Sequence, residues 1–129
     1  MPHSADEKGK RAAIIAESLY LANLTILPVL GFALLLWMHF SGMAQGSALA
    51  RCHLRQAITG SLWAGALLIV FNAVILLLGG YRSQGTIVSL ILYFFSVHTA
   101  LILTGMAGLA KATASQQFVY PLIGRRCDD

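Results

Sequence analysis

His98 stands near the middle of an apolar run, 86–110, that contains no Lys, Arg, Asp or Glu. An ionisable group at such a depth in a greasy segment is a functional candidate by default. Its neutral imidazole could hydrogen-bond a neighbouring helix, ligate haem, contact a quinone or relay a proton. Haem held between two histidines needs a second one at matching depth, and His39 and His53 both lie near the edges of apolar runs. A second concentration of chemistry is "LARCHLRQAITGSLWAG", residues 49–65. Arg51 and Arg55 are four residues apart, which puts them on one face of a helix beside the apolar row Leu54, Ile58 and Leu62. Arginines at the mouth of an apolar helix snorkel to phosphate, so Arg51, His53 and Arg55 are expected to contact lipid headgroups or a partner.

Other chemistry is sparse. No Ser-His-Asp set, metal-ligand spacing or glycine-rich phosphate loop occurs. The expectation is a protein that is not an enzyme and needs neither metal nor cofactor. Cys52 and Cys127 fall on the same side of the expected topology; they would be reduced in the cytoplasm and could pair outside it, and the spacing does not choose.

The elements that position these residues follow from composition. Hydrophobic residues make up 57% of the 129 and charged residues 11%, against about 25% charged in soluble domains. Too few polar groups remain to cover a small soluble domain, so the bilayer is the expected solvent. The nine cationic residues are scattered at the edges of apolar runs. Nucleic acid, which recruits a continuous basic face, is not an expected partner.

Three runs are long enough to cross a ~30 Å hydrocarbon core as helices: 19–40, 58–78 and 86–110. They do not alternate in polarity, which argues against a barrel. The expected fold is all-α, a single membrane domain of three transmembrane helices. An interfacial segment, 1–18, precedes them and a tail, 111–129, follows. The first run is too long for the core of a cleaved signal. Ser4 and Glu7 fit a capping box. Pro28 removes a donor to the Leu24 carbonyl, beside Asn23, and predicts a kink. Helix packing is expected through Ser61, Gly65 and Asn72 of the second span and Ser96 and Thr104 of the third, because small and polar side chains let membrane helices approach.

Three spans place Arg51, Arg55, Lys111, Arg125 and Arg126 on one side and Lys8, Lys10, Arg11 and Arg82 on the other, five cationic residues against four. The positive-inside rule then predicts a cytoplasmic C-terminus and an outside N-terminus in the cytoplasmic (inner) membrane.

The pattern "CHLRQAI", two apolar spans and a tail reading "FVYPLIGRR" resembles small bacterial membrane proteins related to the twenty-kilodalton subunit of the chloroplast inner-envelope import translocon. His53, Arg55, Gln56, Tyr120, Pro121 and Leu122 occupy the matching positions, and "QAITGS" stands where relatives carry an acidic residue and an Asn-Phe-Gln stretch. The resemblance implies that the doorway, the loop that leads into Arg51 and Arg55, and the C-terminus face the cytoplasm. The expected function is a non-enzymatic accessory or interaction subunit that packs against other membrane proteins or itself. The alternative is a redox membrane anchor binding haem or quinone through His98: "SVHTALILTG" is similar to the Ser, His and Gly placement of respiratory anchor subunits, without the Arg and Asp that follow there.

Overall fold

A computed structural model describes residues 2–124, 126 and 127, with side chains from Glu7 onward; the expected Ser4 cap lies outside the described side chains. The chain is all-α. Helix α1 (Pro2–Thr25) is followed by α2 (Leu30–Ser41), then by α3 (Ala48–Gly65), which runs through a π segment (Ala66–Val70) into α4 (Phe71–Gly79), and finally by α5 (Gln84–Thr113). Because α3, the π segment and α4 are continuous, there are four helical rods among the described residues.

Two rods, Ala48–Gly79 and Gln84–Thr113, are long and apolar enough to cross a membrane. They contain the expected runs 58–78 and 86–110. The first expected span does not exist as one helix. Instead of a kink at Pro28, α1 stops at Thr25 and the chain turns back on itself. Gly31 of α2 packs so closely on α1 that a Cβ there would lie 2.8 Å from the Leu19 carbonyl oxygen and from the Asn23 Cβ. Residues 12 apart cannot meet in this way along a straight helix.

The reason is local. Thr25 donates its hydroxyl to the Leu21 carbonyl at 2.8 Å, and Ile26 and Leu27 both donate to Ala22. The Asn23 side chain then accepts from the Val29 amide at 3.0 Å. Pro28 supplies no donor, and Val29 adopts φ 71°, which ends any helical continuation. The Asn23–Pro28 pair thus caps a turn, where the sequence predicts a kink.

The turns between the other rods use ordinary signals. Gly42 closes α2 in the left-handed conformation. Ser47 and Ser83 cap α3 and α5 by accepting from the Ala50 and Thr86 amides at 3.2 and 3.3 Å. Helix α1 runs parallel to α3: Gly9 sits on Ser47, Glu17 meets His53, and Tyr20 meets Gly60. Helix α5 runs antiparallel to both, with Tyr93 near Leu67 and Gly108 against Glu17.

The α1–α2 hairpin is shorter than the α3–α5 pair and covers only its doorway half. Its turn reaches the level of Ala64–Leu68, where the rest of the long pair stands bare. Leu77, Leu78, Phe95 and Ile69 are 84%, 85%, 65% and 70% exposed. The buried core lies at the opposite end, around Ala16, Tyr20, Leu54, Ala57, Leu101 and Tyr120.

Candidate functional site

At that end α1 presents a seam of Ala12, Ala13, Ala16, Glu17 and Tyr20, all buried. Small residues at helical spacing bring α3 and α5 close. Glycines then shape the pocket that receives the large polar side chains. A Cβ on Gly108 would lie 2.6 Å from Glu17 Oε2, one on Gly60 would lie 2.7 Å from the Tyr120 ring, and one on Gly105 would lie 2.7 Å from the Tyr20 ring. Only glycine leaves room at these three positions.

The side chains so enclosed form one hydrogen-bonded cluster. Glu17, His53 and Gln56 expose no surface. His53 Nδ1 lies 2.7 Å from Glu17 Oε1, and His53 Nε2 lies 2.8 Å from the Gln116 carbonyl oxygen. The Tyr120 hydroxyl donates to Glu17 Oε2. The Tyr120 amide donates to Gln56 Oε1 at 3.3 Å, and the Tyr20 hydroxyl donates to the Leu101 carbonyl at 3.1 Å. Tyr20 and Tyr120 rings pack with centroids 5.2 Å apart.

This geometry fixes the proton count. A carbonyl only accepts, so His53 Nε2 must carry a hydrogen. One further proton must lie between Nδ1 and Oε1. It belongs either to an imidazolium beside a carboxylate or to a carboxylic acid beside a neutral imidazole. Both arrangements are neutral overall, which suits a buried pair. Burial raises the Glu17 carboxyl above its ordinary range, and the bonds from His53 and Tyr120 oppose that rise without cancelling it. Glu17 lies in α1, outside the two rods long enough to span.

The tail completes the cluster and is tied down. Cys52, next to His53 on α3, forms a disulfide with Cys127. Gln56 Nε2 also donates to Cys127 Sγ at 3.3 Å. Gln116, Tyr120 and Cys127 thus all return from the tail to α3.

Expected site residues divide clearly. Arg51 and Arg55 do lie at the doorway, donating to the Gln45 and Arg126 carbonyls at 2.5 and 3.0 Å. With His39 they rim a cavity of about 690 Å³ whose floor includes Leu36, Phe40, Leu54 and Ile58. His53, expected at the headgroups with them, is instead sealed inside, because Glu17 and Gln116 take both ring nitrogens.

Among the expected packing residues, Ser61 is buried, whereas a Cβ on Gly65 would meet nothing within 4 Å. Asn72 bonds the Leu68 carbonyl of its own helix at 2.5 Å and not a neighbouring helix. Thr104 likewise bonds Ala100 at 2.9 Å, and Ser96 is exposed. The buried face of α5 is Leu101, Gly105, Gly108 and Ala112. His98 lies on the half-buried side of α5, its ring stacked on Phe94 with centroids 5.1 Å apart.

Glu17 is the functional candidate that the residue pattern does not single out. The signal lies in its neighbours: Gly9, Ala13, Ala16 and Tyr20 repeat at three- and four-residue steps, with Glu17 beside that row. Comparison with family models, with curated proteins and with solved structures gives no match.

Proposed function

We propose that this chain is an integral membrane protein in which α3–α4 and α5 span the bilayer and the α1–α2 hairpin dips part-way in from the doorway side. It acts as a non-enzymatic accessory or interaction subunit that packs against other membrane proteins or a second copy of itself. One observation carries this reading: the tip half of the α3–α5 pair exposes a broad surface of large apolar side chains, among them Phe71, Leu77, Leu78, Ile91, Leu92 and Phe95, whereas the polar cluster at the other end is sealed. Glu17 and His53 offer no surface to a substrate, so the cluster reads as a lock that holds hairpin, spans and tail together. The likeness to the translocon-related family is part of the same proposal. Of the residues that carry it, His53, Gln56 and Tyr120 meet in that lock.

Two spans change the expected topology. Both termini then share one side with the doorway loop. Lys8, Lys10, Arg11, Arg51, Arg55, Lys111 and Arg126 lie there, against Arg82 alone at the far turn. That imbalance argues for a cytoplasmic doorway with both termini inside. In those reducing surroundings Cys52–Cys127 would be a bond that forms and breaks, since lasting disulfides belong to oxidising compartments. The cationic cavity at Arg51 and Arg55 suits an anionic headgroup above apolar chains.

Reporter fusions at the N-terminus, after Ser83 and at the C-terminus test the topology. The expected result is a cytoplasmic signal from both termini and an external one from Ser83. Opposite signals from the two termini would restore three spans. Co-purification in mild detergent tests the function, with a stoichiometric membrane partner or self-assembly expected. A lone monomer with a measurable turnover would defeat the accessory reading.

A further inference from the structure

A second cavity, of about 640 Å³, opens where the α1–α2 turn meets the π segment. Its walls include Asn23, Phe32, Leu68 and Phe94, together with Ser61 and His98. Ser61 is 6% exposed, and its hydroxyl has no hydrogen-bond partner; His98 Nδ1 is buried and equally unpartnered. Buried polar atoms are normally satisfied, so each exception calls for an explanation.

The Ser61 case is informative because a helical serine or threonine has a partner at hand in the carbonyl four residues back. Thr25 and Thr104 take that bond at 2.8 and 2.9 Å. Ser61 does not. The neighbouring backbone is also irregular. Ala66–Val70 winds as a π segment that forms part of the wall, and the Tyr93 hydroxyl donates to its Leu67 carbonyl at 2.8 Å. Such π segments occur often at functional sites.

From these features we infer that the cavity binds the ring of a bilayer-dissolved quinone, with a ring carbonyl accepting from Ser61 and hydrogen-bonding His98. The inference rests on the membrane placement proposed above. Three observations favour this occupant. A hydroxyl can donate, as can an imidazole in the tautomer that carries its hydrogen on Nδ1, and a quinone carbonyl only accepts. The stacked rings of His98 and Phe94, 14° from parallel, give the cavity a flat wall suited to a flat ring. Depth excludes the other common carbonyl source. Within α5 a ~30 Å hydrocarbon core counted from Thr86 ends near Gly105, so His98 lies about 18 Å from one edge and about 10 Å from the other at 1.5 Å per residue. Ester carbonyls of phospholipids stay near the headgroups, whereas a quinone ring can reach this level.

The test uses full-length protein purified from native membranes. First, resistance of the membrane-bound protein to alkaline carbonate extraction checks the underlying reading; release into the soluble fraction would end both proposals at once. For membrane-bound protein, organic extraction and mass spectrometry should recover quinone at near one equivalent. Titration of quinone-stripped protein in nanodiscs with a ubiquinone carrying a short tail should then give saturable binding. Ser61→Ala and His98→Phe, each checked for native helicity and melting, should each weaken it about tenfold, the loss expected for one buried hydrogen bond. Thr104→Val, whose hydroxyl bonds its own helix, should leave it unchanged. Recovery of phospholipid alone, non-saturable uptake, or equal affinity in Ser61→Ala and wild type would each overturn the assignment.

Discussion

Replacing Glu17 by glutamine and by alanine separates the proposed proton-sharing lock from ordinary packing. In Glu17→Gln the new amide can donate to His53 Nδ1 and accept from Tyr120, so it reproduces both links that Glu17 makes. The cost should stay within about 1 kcal/mol. Glu17→Ala leaves His53 Nδ1 and the Tyr120 hydroxyl buried without partners, at about 1–3 kcal/mol each. The loss should therefore be about 3–5 kcal/mol, the range for breaking a buried pair from one side. The two variants should also differ from wild type in pH dependence. Because burial raises the folded Glu17 carboxyl above its ordinary value of 4.5, its proton contributes stability that is complete below that value. The contribution is lost as pH rises through the folded value. The glutamine amide carries its hydrogens at every pH, so the stability of Glu17→Gln relative to wild type should improve as pH rises above the ordinary carboxylate range, by at most about 1.4 kcal/mol per pH unit. Reversible unfolding in mixed detergent micelles, followed by circular dichroism, measures both effects. If Glu17→Gln is as damaging as Glu17→Ala, or if its offset from wild type does not vary with pH, the one-proton account of the cluster is refuted.

Gly108→Ala should destabilise by about 1–3 kcal/mol, because its Cβ would press on Glu17 Oε2 at 2.6 Å; the same change in a Glu17→Ala background should cost less in the same unfolding assay, since the clash is then gone. Val29→Gly should stabilise by about 1 kcal/mol by relieving the positive φ of 71°, and a fall in the melting midpoint would show that the turn is not strained. Cys127→Ser removes a tie across 75 residues, so stability should fall by about 4 kcal/mol on a chain-entropy estimate; reductant should lower the stability of wild type and leave that of the variant unchanged.

The helices α3–α4 and α5 are legible in the sequence because apolar length is a strong signal, and the expected runs 58–78 and 86–110 lie wholly within them. The failure of 19–40 has a specific cause. An apolar hairpin that turns back on itself and an apolar span have the same composition. Only Asn23, Pro28 and Gly31 together distinguish them, since they cap, break and then repack the chain. Pro28 alone predicts no more than a kink. The packing face of α5 differs from expectation for a related reason. Ser96 and Thr104 stand out by polarity, but helices close on the smallest side chains, and Gly105 and Gly108 are the residues that meet Glu17 and Tyr20. His53, Gln56 and Tyr120 stand out through short motifs, while their partner Glu17 is 36 residues from the nearest of them. Sequence separation of that size hides a contact unless the hairpin is already known.

The position of the lock along the spans explains how a glutamate comes to be buried in so apolar a chain. Counting from Thr86, just inside the turn that carries Arg82, a ~30 Å hydrocarbon core is crossed in about 20 residues of α5. That distance ends near Gly105, and Glu17 packs against Gly108, one turn farther toward the doorway. On the proposed topology the cluster therefore sits at the headgroup level, where polar backbone from the tail can reach it. Gln116 and Tyr120 supply that contact. The same residues mid-span would have only their neighbouring helices for partners, and the group that does stand there, His98, has an unpartnered nitrogen. Insertion of the hairpin then depends on the tail closing over Glu17 and His53. Under reducing conditions, where loss of the Cys52–Cys127 bond makes no difference, truncation after Ser115 should consequently expose the pair, lower stability about as much as Glu17→Ala, and add little to the loss in the double variant. Additive losses would mean that tail and pair stabilise the fold independently.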